Sequence, residues 1–211
     1  MRKDIIEHWA NENNVIINAQ QFEKLAAFQK RVLMVNQQMN LTAIKDDVGF
    51  AVKHIIDSLT LLPYIPENAT LLDIGTGAGF PGVVLGIMRP DIHLSLLDSL
   101  KKRIQFLKES LDMLGIDGVE CIPHRAEELV RTGVKYDVCT ARAVARMDKL
   151  VKYALPLVRP GGVLLAMKGA DVAEEVENAK NVLSKHGGII KNVDLIKIAD
   201  DINHSIIVVE K

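Results

Sequence analysis

The chain has 211 residues, 48% of them hydrophobic and 25% charged, a balance that permits a sizeable core and excludes a disordered chain. The formal net charge is −1, so no overall field draws the molecule to nucleic acid, and any RNA contact must come from local basic patches. No apolar run reaches membrane-span length and the segment Met1–Glu7 lacks a secretory apolar core, so a cytoplasmic chain with no membrane association is expected.

Residues 1–62 read as an N-terminal helical cap. Ile5, Ile6 and Trp9 form one short apolar face, and a second helix is predicted over Ala19–Gln38, where Phe22, Leu25, Phe28, Val32 and Val35 recur near helical spacing. Asn36–Asn40 is polar and breaks the pattern. Asp46 or Asp47 caps a third helix, which carries Phe50, His54, Ile55 and Leu59 before Pro63 ends it.

From Ala69 strands and helices alternate, and residues 63–211 read as one compact domain. Strands are expected at Ala69–Ile74, His93–Asp98, Val119–His124, Tyr136–Thr140 and Gly162–Lys168. Helices are expected at Pro81–Met88, Lys101–Leu114, Ala126–Arg131, Met147–Leu157 and Asp171–Lys185. Such alternation makes an α/β, doubly wound, mostly parallel sheet of Rossmann type. The ending differs. Ile189–Ile198 and Ser205–Glu210 are strand-like, and the polar turn Ala199–His204 between them leaves no room for a helix, so they pair antiparallel. Cys121 and Cys139 lie in apolar surroundings without metal-ligand spacing and read as small buried hydrophobes.

The stretch from Leu71 to Gly82 carries the most chemistry. An apolar run ends in Asp73, then Gly75, Gly77 and Gly79 alternate, and Pro81 opens a helix. Glycine permits positive φ and holds no side chain against a ligand, while amides at a helix start face outward. Gly77–Gly82 satisfies the dinucleotide pattern G-x-G-x-x-G. The fuller run from Asp73 to Gly79 resembles the first motif of S-adenosylmethionine-dependent methyltransferases. In those enzymes the glycine backbone accommodates the methionine part and the nearby acid can engage its ammonium group.

Ligands in open α/β sheets lie beyond the carboxyl ends of the strands, and five predicted strand ends there present suitable groups. Gly75 follows the first. Asp98 ends the second, about 20 residues on, where an acid accepts from ribose hydroxyls, the other reading being a cap for the following helix, for which Ser99 is also available. Ala126 and Glu127 follow the third, their main chain suited to adenine edges and the Glu127 carboxylate also readable as a solvated first-turn acid. Arg142 follows the fourth, a long cation in an apolar context, and Lys168 ends the fifth. Lys101-Lys102-Arg103, with Arg146, Lys149 and Lys152, either flank this rim for RNA-backbone contact or form solvated helix faces. His54, His93 and His124 have no metal-ligand spacing and read as structural.

Further segments lie outside the glycine motif: Asn40-Leu41-Thr42-Ala43-Ile44, His54-Ile55-Ile56-Asp57-Ser58-Leu59, Leu96-Leu97-Asp98-Ser99, Ala141-Arg142-Ala143, and Pro160-Gly161-Gly162 with Lys168-Gly169. In combination, from about residue 40 to 170, the chain resembles the bacterial small-subunit ribosomal RNA methyltransferase G family, also called glucose-inhibited division protein B. The resemblance implies transfer of a methyl group from S-adenosyl-L-methionine to N7 of one guanine in the decoding-region loop of 16S ribosomal RNA, with free RNA or the 30S subunit as partner and no obligate protein partner. Cofactor contacts carried over by position fall on Gly75, Phe80, Ala126, Glu127 and Arg142. Gly77 and Asp98 join them from the motif logic. The family usually has an arginine shortly before its last strand, where this chain offers Asn203 and His204.

Guanine N7 carries an in-plane lone pair and no proton, so its methylation demands alignment rather than a general base. Arg142 is then expected to position the guanine or a phosphate. The chain has neither the Asn/Asp-Pro-Pro-aromatic run of exocyclic-amine methyltransferases after the fourth strand nor a Pro-Cys nucleophile. Two other readings share the glycine loop: a nicotinamide-dependent oxidoreductase, and a cofactor-sensing RNA-binding module without catalysis.

Overall fold

Strand β1 (Thr70–Ile74) buries Leu71, Leu72 and Ile74 on successive sides, as a strand must when helices cover both faces of its sheet. The computed structural model describes residues 1–211 and places β1 near the middle of a seven-stranded sheet of order β3-β2-β1-β4-β5-β7-β6. The parallel strands are β1, β2 (His93–Leu97), β3 (Glu120–Ile122), β4 (Tyr136–Arg142) and β5 (Val158–Gly169). β7 (Ile202–Glu210) runs antiparallel between β5 and the edge strand β6 (Ile189–Ala199). The chain turns outward in one direction through β2 and β3 and in the other through β4 and β5. The switch point therefore lies between β1 and β4, where a crevice opens at the carboxyl ends.

Each face of the sheet has its own core. On one side α5 (Gly82–Met88) and α6 (Lys101–Leu114) pack with the N-terminal helices α1 (Lys3–Glu12) and α2 (Ala19–Met39). Ile6, Trp9, Phe28 and Phe50 there share one apolar cluster with Val83, Leu107 and Ile206. The opposite core is covered by α7 (Ala126–Val130), α8 (Met147–Ala154) and α9 (Ala173–Lys185). Helix starts follow local chemistry: Asn18 and Gln21 make a reciprocal capping box at α2, a type of cap worth about 1 kcal/mol. Of the two candidate caps for the third helix it is Asp46 whose carboxylate accepts from the Gly49 amide.

That third helix, residues 47–59, is not uniform. α3 (Asp47–Phe50) passes into a π turn (Ala51–Ile56) before α4 (Asp57–Leu59). π turns of this kind concentrate at functional sites, and this one carries Lys53, His54 and, at its exit, Asp57.

Several expected boundaries shift. α2 runs through the polar stretch to Met39, because Asn36 turns inward: it accepts from the Thr42 amide and donates to the Thr42 carbonyl. Pro81 stands just before its helix rather than inside it, since α5 begins at Gly82. Met147–Leu157 divides into α8 and a tighter turn at Leu155–Leu157, where Pro156 supplies no amide. The largest revision is the final hairpin. Only Asp200 and Asp201 separate β6 from β7, so Ile202, Asn203 and His204, expected in a turn, belong to the strand. No helix is long and apolar enough to cross a membrane.

Candidate functional site at the sheet rim

The glycine loop turns with Gly75, Gly77 and Gly79 all at positive φ, 67°, 59° and 99°. Their reasons differ. A Cβ on Gly75 would lie 2.8 Å from Val144, and one on Gly79 would press into Val83, Phe28 and Leu107. At Gly77 the space is open, so its backbone angle alone favours glycine. Gly82 lets α5 sit against the sheet, because a Cβ there would come within 2.3 Å of Leu96 and 2.7 Å of Asp73. Thus Gly79 and Gly82 serve helix packing, while Gly75 and Gly77 line the rim.

Asp73 does not do what the motif suggested. It is fully buried, accepting from the Gly82 amide at 2.9 Å and the Thr140 hydroxyl at 3.0 Å. Its carboxylate ties the start of α5 to β4 and is shielded from any ligand ammonium. The Gly82 amide is correspondingly turned to Asp73 and not to the crevice. Burial pushes the Asp73 carboxyl up to about 6.

Two hollows adjoin Gly75. The first, about 180 Å³, lies over β1–β3 between Gly75, Asp98, Ala126, Glu127, Val144 and Tyr153. Asp98 is 4% exposed and accepts from the Gly77 amide, the Leu100 amide and the Arg103 guanidinium. It therefore braces the glycine loop and the entry to α6 together. The first-turn amides of Ala126 and Glu127 have no acceptor within α7. Ala126 is buried, while the Glu127 side chain is exposed.

The second hollow, about 470 Å³, lies between Gly75, Gly77, Phe80, Arg142, the loop bearing Leu41 and Ile44, and His54 of the π turn. Arg142 closes β4 and is the last residue of the strand instead of following it. Its Nη1 donates to the Lys53 carbonyl at 2.7 Å and to Asp57 Oδ2 at 2.9 Å, and its Nη2 lies 3.1 Å from His54 Nδ1. The guanidinium stands over the Phe80 ring at 5.5 Å. Phe80 is 2% exposed and stacks on His54 with centroids 4.3 Å apart, so its ring supports the network at the wall of the hollow. Next to Arg142, Ala143 holds a left-handed φ of 53°, backbone strain of the kind found at functional sites.

Protonation follows from these contacts. His54 accepts from Arg142 at Nδ1, so Nε2 carries the proton and donates to Thr42 Oγ1 at 2.8 Å. Burial and then the Arg142 charge lower its pKa to about 3, leaving the ring neutral. Burial pushes the Asp57 carboxyl up, but the hydrogen bond from His204 and the charge of Arg142 outweigh it and hold the group below the usual carboxylate range.

Asp57, His204 and Thr42 belong to this network although none was among the expected site residues, and His54 was read only as structural. His54 and Asp57 are three apart on one helix, a spacing that puts them on one face. Nothing in spacing links Asp57 to His204, 147 positions away. Among the basic residues, Arg103 is bonded to Asp98, Arg146 pairs with Glu174, and Lys101, Lys102, Lys149 and Lys152 are exposed. Lys168 donates to Glu175 at 2.6 Å.

A family model described as rRNA small subunit methyltransferase G matches residues 21–204. A ribosomal RNA small subunit methyltransferase G of Acetivibrio thermocellus is 41% identical, covering 100% of this chain and 88% of that protein. One of Alkaliphilus metalliredigens is 39% identical over 99% of this chain and 90% of its own. Similar solved structures include MtNAS in complex with MTA and tNA, with a TM-score of 0.62, 13% identity, and 89% and 70% of the two chains covered. Precorrin-6y C5,15-methyltransferase from Geobacter metallireducens superposes with a TM-score of 0.55 at 15% identity, over 73% of this chain and 85% of that one. At such identities these structures speak for the fold alone.

Proposed function

The chain belongs to the rRNA small subunit methyltransferase G family, and from that premise we propose that its rim binds S-adenosyl-L-methionine and delivers the methyl group to N7 of a guanine in the decoding-region loop of 16S ribosomal RNA. Methylation of small-subunit ribosomal RNA is the activity of the family. The hollow over β1–β3 would hold the adenosine of the cofactor, with Ala126 and Glu127 offering main chain to the adenine and Asp98 a carboxylate to the ribose. Gly75, Gly77 and the main chain of Phe80 would hold the methionine part, and the bound cofactor would supply the methyl group on the side of Arg142. Residues 1–62 act as a cap over that end of the cleft, and 63–211 form the catalytic domain.

The observation that carries this reading is the pair of hollows meeting at Gly75, on the switch point between β1 and β4. N7 attacks a sulfonium methyl without losing a proton, so the enzyme's task is to orient the reactants and exclude water. The side chains beside the second hollow suit that task. His54 is neutral with both ring nitrogens engaged, and Asp57 is held by two donors. Arg142 has five donors and spends three on the cap. The others are directed to the guanine or an adjoining phosphate. N7 faces the major groove, which A-form RNA hides, so the target base is unpaired or opened.

The deciding experiment maps 7-methylguanosine in ribosomal RNA from cells lacking this protein. Loss of one modified guanine in the decoding region, restored by the purified protein with S-adenosyl-L-methionine, is the expected result. An unchanged map would return the chain to a non-catalytic RNA-binding role. Calorimetry with S-adenosylhomocysteine and with NAD separates the remaining cofactor alternative.

A further inference from the structure

We propose that His204 is a positioning residue for methyl transfer: through Asp57 it fixes Arg142 at the rim, and it does so as a charged imidazolium. This rests on the methyltransferase reading above. His204 is 6% exposed in β7, opposite Gly169 of β5 and Ile196 of β6. Its Nδ1 meets Asp57 Oδ1, and a carboxylate only accepts, so Nδ1 carries a proton. Its Nε2 lies 3.2 Å from Thr60 Oγ1. The Thr60 hydroxyl gives its own proton to the Asp57 carbonyl at 2.6 Å and so presents a lone pair to the ring. Both ring nitrogens thus face acceptors, an arrangement that only the doubly protonated ring satisfies.

Asp57 then lies between two cations, with Oδ1 on His204 and Oδ2 on Arg142. Two donors on two oxygens set the plane of the carboxylate, and that plane sets the direction of Arg142 Nη1. If His204 loses its second proton, Thr60 must release the Asp57 carbonyl to donate to the ring, and Asp57 loses one of its two counter-charges. The charged groups around the ring are Asp57 from the helix of residues 47–59, Arg142 from β4 and Lys168 from β5, all lining one hollow of about 220 Å³ with His204. That hollow also gives a longer side chain room to replace the ring.

The test measures kcat and KM for S-adenosyl-L-methionine against pH, using 30S subunits, for the unchanged protein, H204R and H204Q. We expect kcat of the unchanged protein to fall with rising pH while KM stays constant. H204R, permanently charged, keeps kcat within about threefold and loses that fall, and H204Q shows kcat lower by about tenfold at every pH with KM unchanged. An identical pH profile in H204R, or full kcat in H204Q, overturns the proposal. A second measurement needs no activity. The guanidinium nitrogen signals of Arg142, assigned by their loss in R142K, should be resolved in the unchanged protein and H204R and averaged in H204L. Resolved signals in H204L would overturn the positioning role. If the unchanged protein transfers no methyl group, the functional reading fails, and this spectrum still decides whether His204 holds Arg142.

Discussion

The two ends of the rim are built by different means. Over β1–β3 the hollow is framed by main chain at Gly75 and at the start of α7 and by one buried carboxylate, Asp98, whose three partners lie within 21 residues of it. Over β4 and β7 the site is a network of side chains drawn from four elements: Thr42 and His54 before and within the π turn, Asp57 at its exit, Arg142 on β4 and His204 on β7. A main-chain site needs only the right backbone angles and tolerates sequence change around it. A side-chain network needs every member, and here it also joins the N-terminal helices to the sheet. The first end suits a constant cofactor, and the second suits the alignment of a substrate.

Removing Arg142 should break this comparison most sharply. R142A is expected to lower methyl transfer to 30S subunits by about 10²–10³-fold, the range for losing one preorganised donor. Binding of S-adenosylhomocysteine, measured by calorimetry, should weaken far less. Parallel losses in both would mean that the two ends act as one site. The next largest effect is on the fold. D57N leaves two donors facing one neutral amide, and breaking a buried pair of this kind costs about 3 kcal/mol. Urea unfolding should show that loss at neutral pH with cofactor affinity little changed. Because the Asp57 carboxyl is held below its ordinary range, its contribution is present at neutral pH and fades only as pH falls through that lowered value.

His54 adds an acid-sensitive step to the same end. Its folded pKa of about 3 lies below the ordinary 6.5, so the unfolded chain binds the extra proton first. The stability supplied by the neutral ring is complete above pH 6.5 and is lost progressively toward pH 3. Acidification from pH 6.5 to 5 should cost about 2 kcal/mol at about 1.4 kcal/mol per pH unit. H54Q should flatten that slope in a series of melting curves. An equal slope in H54Q would assign the sensitivity to other groups.

How much of this was legible in the sequence divides along the same line. The glycine loop, Asp98 and Ala126 stand at strand ends that hydrophobic alternation locates, so the first end could be assembled from spacing alone. Arg142 was visible as a cation out of place among Thr140, Ala141, Ala143 and Val144. Its partners were not, because a π turn leaves no signature in apolar periodicity. The start of the last strand was hidden for a related reason: Asn203 and His204 read as a turn by polarity, yet His204 is buried because Asp57 receives its Nδ1 proton, beside Ser205, whose hydroxyl donates to the Ala170 carbonyl. Asp73 misled in the opposite sense, as a motif acid whose partners, Gly82 and Thr140, are internal.

Over β1–β3 the effects should be smaller. D98N keeps the shape but weakens the brace on Gly77, Leu100 and Arg103, and S-adenosylhomocysteine should bind about tenfold more weakly, or 1.4 kcal/mol. The smallest contrast is between two glycines of one loop. G77A meets open space and carries only the cost of a left-handed alanine, about 1 kcal/mol. G75A carries the same cost and also drives a methyl group to 2.8 Å from Val144, which lines the hollow over β1–β3. G75A should therefore lose cofactor affinity as well as stability, while G77A loses stability with affinity nearly intact. Equal affinities for the two variants would show that the hollow yields at Val144, and that this end of the rim is set by backbone angles alone.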